Sequence, residues 1–178
     1  MLQTELQATD LLFCRQGSSK FSRAIHHSTG EFNHVGIYFE DGIYHASSRD
    51  GVVKQSLSDF LKEFPYVSVF RISDLKVDKA RLLDKAREHL GKPYNKSFYP
   101  DRTGFYCSEF IAEILGFFEE IPMSFSDGKI PISIFWQTYY EDLQLPVPLG
   151  IMGTNPTQLS VSKKLTYIGD LDDSDLQP

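Results

Sequence analysis

The segment Phe105-Tyr106-Cys107-Ser108-Glu109-Phe110-Ile111-Ala112-Glu113-Ile114-Leu115 decides how the chain is read. Apolar residues at 106, 110, 111, 114 and 115 recur at helical spacing, so Cys107 is expected in the first turn of a helix that buries Phe110, Ile111 and Ile114. A helix start leaves backbone N–H groups unpaired and carries the positive end of the dipole. Both favour a thiolate over a thiol and leave donors for a developing oxyanion. Free cysteines are also among the most buried residue types, so simple packing is the competing account of Cys107. A nucleophile needs a base, and the strand-like run Phe32-Asn33-His34-Val35-Gly36-Ile37-Tyr38 offers His34.

Working outward from that run, His34 to Glu40 is rich in Val, Ile, Tyr and Phe. Asp41-Gly42 is a two-residue hairpin signal, and Ile43-Tyr44-His45-Ala46-Ser47 supplies the return strand. With Asp41-Gly42 as the turn, Glu40 pairs with Ile43 and Tyr38 with His45. His34 and His45 then share a face but stand four residues apart, roughly 13 Å. A bulge, a wider turn or strong twist is needed to bring them together, and Gly36 is a plausible place for the distortion or for close approach of another backbone. Two same-face histidines pointing into solvent would give the same pattern.

The remaining elements frame these two segments. Asp10-Leu11-Leu12-Phe13-Cys14 is apolar on both faces and reads as a buried strand, with Cys14 as core. Gly17-Ser18-Ser19 breaks it, and Ser18 or Ser19 caps a short helix through Phe21, Ala24 and Ile25 that ends at His26 and His27. Gly51 to Gln55 is a short strand, Ser56 caps a helix through Phe60 and Leu61, and Tyr66 to Ile72 alternates as a strand. Asp78 is an N-cap for a helix whose apolar stripe is Leu82, Leu83, Ala86 and Leu90, closed by Gly91. Gly91-Lys92-Pro93-Tyr94-Asn95 leads through a polar, aromatic loop to Cys107. Beyond Glu119 the aromatic cluster Phe135 to Tyr140 reads as a helix or turn covering the core, with the lining of a substrate groove as the alternative, Leu165 to Ile168 as a final strand, and Gly169 to Pro178 as an acidic, frayed end.

Composition bounds the function. The 178 residues, 41% hydrophobic and 24% charged, describe one globular domain, residues 1–178, with 119–178 as a C-terminal extension packed on it. The net charge of −6, without any basic cluster, argues against nucleic acid as a partner. Cys14 and Cys107 form neither a disulfide framework nor a zinc spacing, although one bridge between them is possible. Met1 to Gln7 shows no basic or apolar signal region, and no run approaches about 18 apolar residues. A cytoplasmic protein without stable membrane insertion is therefore expected, with the cell envelope as the alternative if a leader has been removed.

Taken together, His34-Val35-Gly36-Ile37-Tyr38, Tyr44-His45-Ala46, Gly91-Lys92-Pro93-Tyr94 and Tyr106-Cys107-Ser108-Glu109-Phe110 resemble the YiiX and YebB group of permuted papain-like cysteine amidases, relatives of the NlpC-type cell-wall peptidases and of the lecithin retinol acyltransferase-like enzymes. The order, histidine before cysteine, is that of the permuted branch. The resemblance implies an α+β, circularly permuted papain-like fold in which an antiparallel sheet packs against helices. It also implies Cys107 as nucleophile, His34 as general base, His45 as the orienting third residue, and Tyr94 as a group that can help hold the oxyanion. YiiX-like proteins commonly carry glutamate at the third position, so His45 is closer to the NlpC pattern. No metal or other cofactor is needed for this chemistry.

The implied activity is cleavage of an amide in a cell-wall peptide or an N-acyl substrate through an acyl-enzyme. The partner would then be a small-molecule, peptide or lipid-amide substrate. Acyl transfer, or cleavage of a thioester or lipid ester, can use the same constellation. A non-catalytic module holding a metal through His34, His45 and Cys107 is a third reading. For catalysis, a ring nitrogen of His34 is expected within about 4 Å of the Cys107 sulfur, with His45 the nearest polar group to the other ring nitrogen.

Overall fold

The computed structural model describes residues 5–15, 19–73, 76–100 and 103–171. The expected break at Gly17-Ser18 and residues 172–178 of the acidic end lie outside them, whereas Gly169 to Leu171, expected to be frayed, pair with Val67 to Val69 in the last strand. In chain order the elements are β1 (Leu11–Cys14), α1 (Lys20–Thr29), β2 (His34–Phe39), β3 (Gly42–Ser47), β4 (Gly51–Gln55), α2 (Leu57–Glu63), β5 (Val67–Ile72), α3 (Lys79–Glu88), α4 (Cys107–Leu115), β6 (Ile121–Pro122), α5 (Ile134–Leu143), β7 (Met152–Gly153), α6 (Pro156–Ser160) and β8 (Leu165–Leu171). Six strands form one antiparallel sheet in the order β4-β3-β2-β1-β5-β8, and β6 pairs with β7. This is the α+β architecture expected above, an antiparallel sheet packed against helices.

Strand alternation sorts the sheet into two faces. Leu11, Phe13, Val35, Ile37, Phe39, Tyr44 and Ala46 project to one side, where they bury Phe110, Ile111 and Ile114 of α4 and Ala86 of α3. Leu12, Cys14, Ile43, Val67 and Val69 project to the other, against Leu57, Phe60 and Leu61 of α2. Both faces are dry, which explains why β1 reads as continuously apolar.

The helices start where their caps place them. Ser19, Ser56 and Asp78 accept from the backbone N–H of Ser22, Asp59 and Arg81. At α4 the Glu109 carboxylate accepts the Tyr106 backbone N–H at 3.2 Å, and Gly116 closes the helix at φ 68°. Lys85 of α3 donates to the Glu113 and Ile114 carbonyls at 2.9 and 3.3 Å, a cation at the negative end of the dipole. Leu90 departs from the expected stripe: α3 ends at Glu88, and Leu90 lies in the turn closed by Gly91 (φ 82°), 42% exposed.

The aromatic cluster is helix α5. Its Trp136 and Tyr140 pack with Phe125 and Ala24 in a separate cluster between α1 and the last third of the chain. That third is tied to the start of α4. The Thr154 backbone N–H donates to the Tyr106 hydroxyl at 3.1 Å, and the Thr154 hydroxyl donates to Ser108 Oγ at 3.0 Å. Among the described residues, no helix is long and apolar enough to cross a membrane.

Candidate active site

The β2–β3 hairpin brings the two histidines together by a route different from the expected one. Phe39 pairs with Gly42, so the turn is Glu40-Asp41 and not Asp41-Gly42. Glu40 and Asp41 keep negative φ, whereas Gly42 takes φ 141°, supplying the twist that the two turn residues do not. Asp41 is held by the Tyr44 hydroxyl at 3.0 Å and by Arg87 at 3.0 Å. Carrying the register onward sets His45 across from Gly36 and reduces its offset from His34 to two residues, about 7 Å along the strand.

Gly36 makes the remaining approach possible. A Cβ there would stand 2.8 Å from Ile43 Cγ2 and 3.4 Å from both His45 Cβ and Phe60 Cε2. With that space open, His34 Nε2 and His45 Nδ1 lie 2.9 Å apart. The other nitrogen of His45, Nε2, lies 2.9 Å from Gln55 Oε1, and Gln55 Nε2 lies 3.3 Å from Glu63 Oε2. Two aromatic rings of the α2 region fix the imidazoles. His34 stacks on Phe64 with centroids 4.5 Å apart and planes 7° from parallel, and Phe60 meets His45 edge-on at 5.2 Å. His45 is thus the polar neighbour of His34, as expected. Glu109 caps α4 and Glu31 pairs with Arg15, so neither competes for that place.

Cys107 is the first residue of α4, as its sequence context predicts, and is buried. It belongs to the α4 face of the sheet, whereas both histidines belong to the α2 face. The two sets meet at the start of β2, where the backbone N–H of Val35, the residue after His34, faces the Cys107 sulfur together with those of Ser108 and Cys107 itself. Among the described residues, no hydrogen bond joins the sulfur to the His34 ring; the backbone of the neighbouring Val35 makes the contact between the two sets.

The thiolate favoured by a helix start is opposed by burial. Burial pushes the Cys107 thiol up to about 12, outweighing the backbone donors that favour its anion. Burial likewise holds His34 well below the usual imidazole range, with the neighbouring His45 adding to the effect, and lowers His45 to about 4. Burial therefore disfavours charge on all three groups. Cys14, across from His34 in the β1–β2 register, is fully buried, and its thiol is raised by burial first and then by Cys107. Both thiols are free, so the optional bridge is absent.

Tyr94 stands between two hollows. One is lined by Cys107 with Phe98, Ile121, Met123, Phe125 and Trp136. The other is lined by His34 with Ser22, Asn33, Ser47, Arg49 and Glu63. Tyr94 and Ile25 wall both. The backbone at Tyr94 is pinned to the segment before the cysteine, because the Asn95 N–H donates to the Phe105 carbonyl at 3.1 Å and the Phe105 N–H to the Pro93 carbonyl at 3.1 Å. A side chain at Gly104 would run into that Pro93 carbonyl. Burial, and then the nearby Cys107, raise the Tyr94 phenol well above its usual range, so it remains an O–H donor.

Sequence reading missed Gln55, Glu63, Phe60 and Phe64 as parts of this site. The β3–β4 register sets His45 opposite Val53, which puts Gln55 on the histidine face. Knowing that register in advance would have pointed to Gln55. Nothing in the local sequence marks the end of α2 as the wall behind His34.

A helix-start cysteine, an antiparallel sheet supplying a histidine pair from upstream, and an aromatic hydroxyl between them define the class of papain-like thiol hydrolases with permuted chain order. The family model described as permuted papain-like amidase enzyme, YaeF/YiiX, C92 family, matches residues 5–169, and the chain belongs to that family. It is accordingly an enzyme of the cysteine amidase type. Among solved structures it is similar to the metalloprotein YiiX from Escherichia coli O157:H7, with a TM-score of 0.75 and 23% identity over 93% of this chain and 97% of that one. No curated protein matches. Among the described residues of this chain, no group of three or more His, Cys, Asp or Glu side chains is arranged to hold a metal ion.

Proposed function

We propose that the protein hydrolyses an amide joining an apolar acyl chain to a polar amine, through an acyl-enzyme on Cys107. The observation that carries this reading is the contrast between the two hollows that share Tyr94: the exposed lining beside Cys107 is almost wholly apolar, although Ser28, Ser124, Thr154 and Asn155 border it, whereas that beside His34 mixes Phe21 and Phe64 with Asn33, Ser47, Arg49 and Glu63. In amide cleavage by a thiol, the acyl group stays on sulfur and the amine departs past the proton donor. The acyl part therefore belongs on the Cys107 side and the amine on the His34 side. An N-acyl amine with a polar or charged head fits that division better than a cell-wall peptide, which offers no long apolar group.

The proposed chemistry starts from an uncharged thiol and imidazole. Substrate seated in the cleft brings its carbonyl carbon to Cys107 Sγ. The sulfur attacks as its proton passes to the free nitrogen of His34, and the oxyanion is met by backbone N–H of Cys107 and by the Tyr94 hydroxyl. His34, now an imidazolium held through its Nε2 by His45, gives that proton to the leaving amine, and the C–N bond breaks to leave a thioester. Water deprotonated by His34 attacks the thioester and releases the acid, and the sulfur regains its proton.

The test is a competition between N-acyl amino acids of increasing chain length and short cell-wall peptides. Specificity, as kcat/KM, should rise by about threefold or more per added pair of methylenes until the hollow is filled, and cell-wall peptides should be poor substrates. Preference for the peptides, or indifference to chain length, would sink the proposed substrate class. Release of acid without any acyl-enzyme would sink the mechanism instead.

A further inference from the structure

We propose that Gln55, its amide oriented by Glu63, is a positioning residue that selects the base-competent tautomer of His34 by acting through His45. The inference rests on the reading of His34 as general base and adds two residues from β4 and α2.

The chain of contacts fixes each hydrogen from the outside inward. The Glu63 carboxylate only accepts, so Gln55 must turn its Nε2–H toward it, across 3.3 Å. That orientation leaves Gln55 Oε1 facing His45, at 2.9 Å, and an amide oxygen only accepts as well. His45 Nε2 must then carry the hydrogen. A neutral imidazole has one N–H, so His45 Nδ1 bears a lone pair and accepts from His34 Nε2–H across 2.9 Å. By the same rule His34 Nδ1 bears a lone pair. It is the one ring nitrogen of the pair left to take the Cys107 proton. Each link fixes the next, and reversing the amide of Gln55 would reverse all of them, placing a hydrogen on His34 Nδ1 and abolishing the base.

The surroundings suit such a device. His45 is buried among Phe60, Phe64 and the sheet, where a free tautomer choice would not be settled by water. Gln55 is neutral and cannot charge the pair in its resting state, yet its oxygen supports the imidazolium that forms during the reaction. Glu63 is exposed, at the end of α2, so it can be changed without disturbing the core.

The experiment combines imidazole 15N spectra with kinetics on an N-acyl amide for wild type, Gln55→Met, Gln55→Glu and Glu63→Lys. In wild type both His34 and His45 should show the Nε2–H tautomer. Gln55→Glu, which also only accepts, should keep the hydrogen on His45 Nε2, and although it adds a charge beside His45 and repels Glu63, its kcat should fall less than that of Gln55→Met. Gln55→Met should lose about tenfold to a hundredfold in kcat with KM little changed, and its His45 signals should report mixed tautomers. Glu63→Lys presents a donor and allows the amide to reverse; because Glu63 also walls the hollow beside His34, the expected loss of about tenfold in kcat should come with mixed His45 tautomers. If Gln55→Met fails to fold, the wild-type tautomers, Gln55→Glu and Glu63→Lys still decide. An Nδ1–H signal for His34 in wild type, equal losses in Met and Glu variants with tautomers unchanged, or full activity in Glu63→Lys would each overturn the proposal. Retained activity in His34→Ala would instead remove the base reading on which it rests.

Discussion

The cysteine side of the cleft depends on one helix start, whereas the histidine side depends on register across three strands and on the end of a second helix. Cys107 is positioned by the cap of α4 and by an apolar stripe that any helix of this pattern would bury. His34 is positioned by the Glu40-Asp41 turn, the missing side chain at Gly36, the β3–β4 register and the Phe60 and Phe64 rings. Damage to the cysteine side should therefore be abrupt and confined to chemistry. On the histidine side there are several places to lose geometry by degrees.

The largest effects should come from the reacting groups themselves. Cys107→Ala and His34→Ala are each expected to lose about a thousandfold or more in kcat/KM, and the double variant should be no worse than either, because the two act as one unit. Additive losses would separate them. His45→Ala should fall between those variants and wild type, about tenfold to a hundredfold down, and His45→Glu should recover part of the loss because a carboxylate can accept from His34 Nε2–H. Full activity in His45→Ala, measured under saturating substrate, would detach His45 from the site.

Gly36→Ala is a milder probe of the histidine side. Its methyl group would meet Ile43 at 2.8 Å and crowd His45, so a stability loss of about 1–3 kcal/mol is expected by urea unfolding. Activity should fall with it, through the spacing of the pair. The same substitution on the cysteine side has a different forecast: Gly116→Ala meets nothing within 4 Å and strains only its φ of 68°. It should destabilise by about 1 kcal/mol and leave kcat alone. Equal effects on kcat from the two glycines would blur the distinction between the sides.

How much of this was legible in the sequence follows the same division. The start of α4, the Ser56 and Asp78 caps and the β5 strand were readable because each depends on neighbours a few residues away. The hairpin turn was displaced by one residue because Asp41-Gly42 is a strong local signal. The actual turn instead places the glycine just after it and ties Asp41 to Tyr44 and Arg87, contacts no local pattern contains. That one-residue change is what turned an offset of four into two. The burial of Cys107 is hidden for a related reason: a helix start is visible in sequence, but the packing that opposes a charge there is not. Gln55 and Glu63 were invisible because their role exists only across strands.

A pH effect is the most general consequence of the buried imidazoles. The folded protein holds His45 at about 4 against 6.5 for the free side chain, so between those values the unfolded chain binds a proton that the folded one refuses. Stability should be full above about pH 6.5 and decline as the pH falls toward 4, by about 3 kcal/mol from His45, with His34 acting in the same direction. Thermal melts across that range should show the decline in wild type and a shallower one in His45→Gln. A melting temperature that rises on acidification would contradict the neutral pair. Turnover should likewise fade only on the acid side, since a neutral thiol with its value near 12 has no alkaline limb to lose in the usual range.

Trapping the acyl-enzyme tests Cys107 as the nucleophile most directly. Wild-type protein mixed with an N-acyl amino acid and quenched within a turnover should gain the mass of the acyl group alone, mapped by peptide sequencing to Cys107 and absent in Cys107→Ala. An acyl group found on Cys14 or any other residue, or an adduct with the mass of the whole substrate, would contradict it.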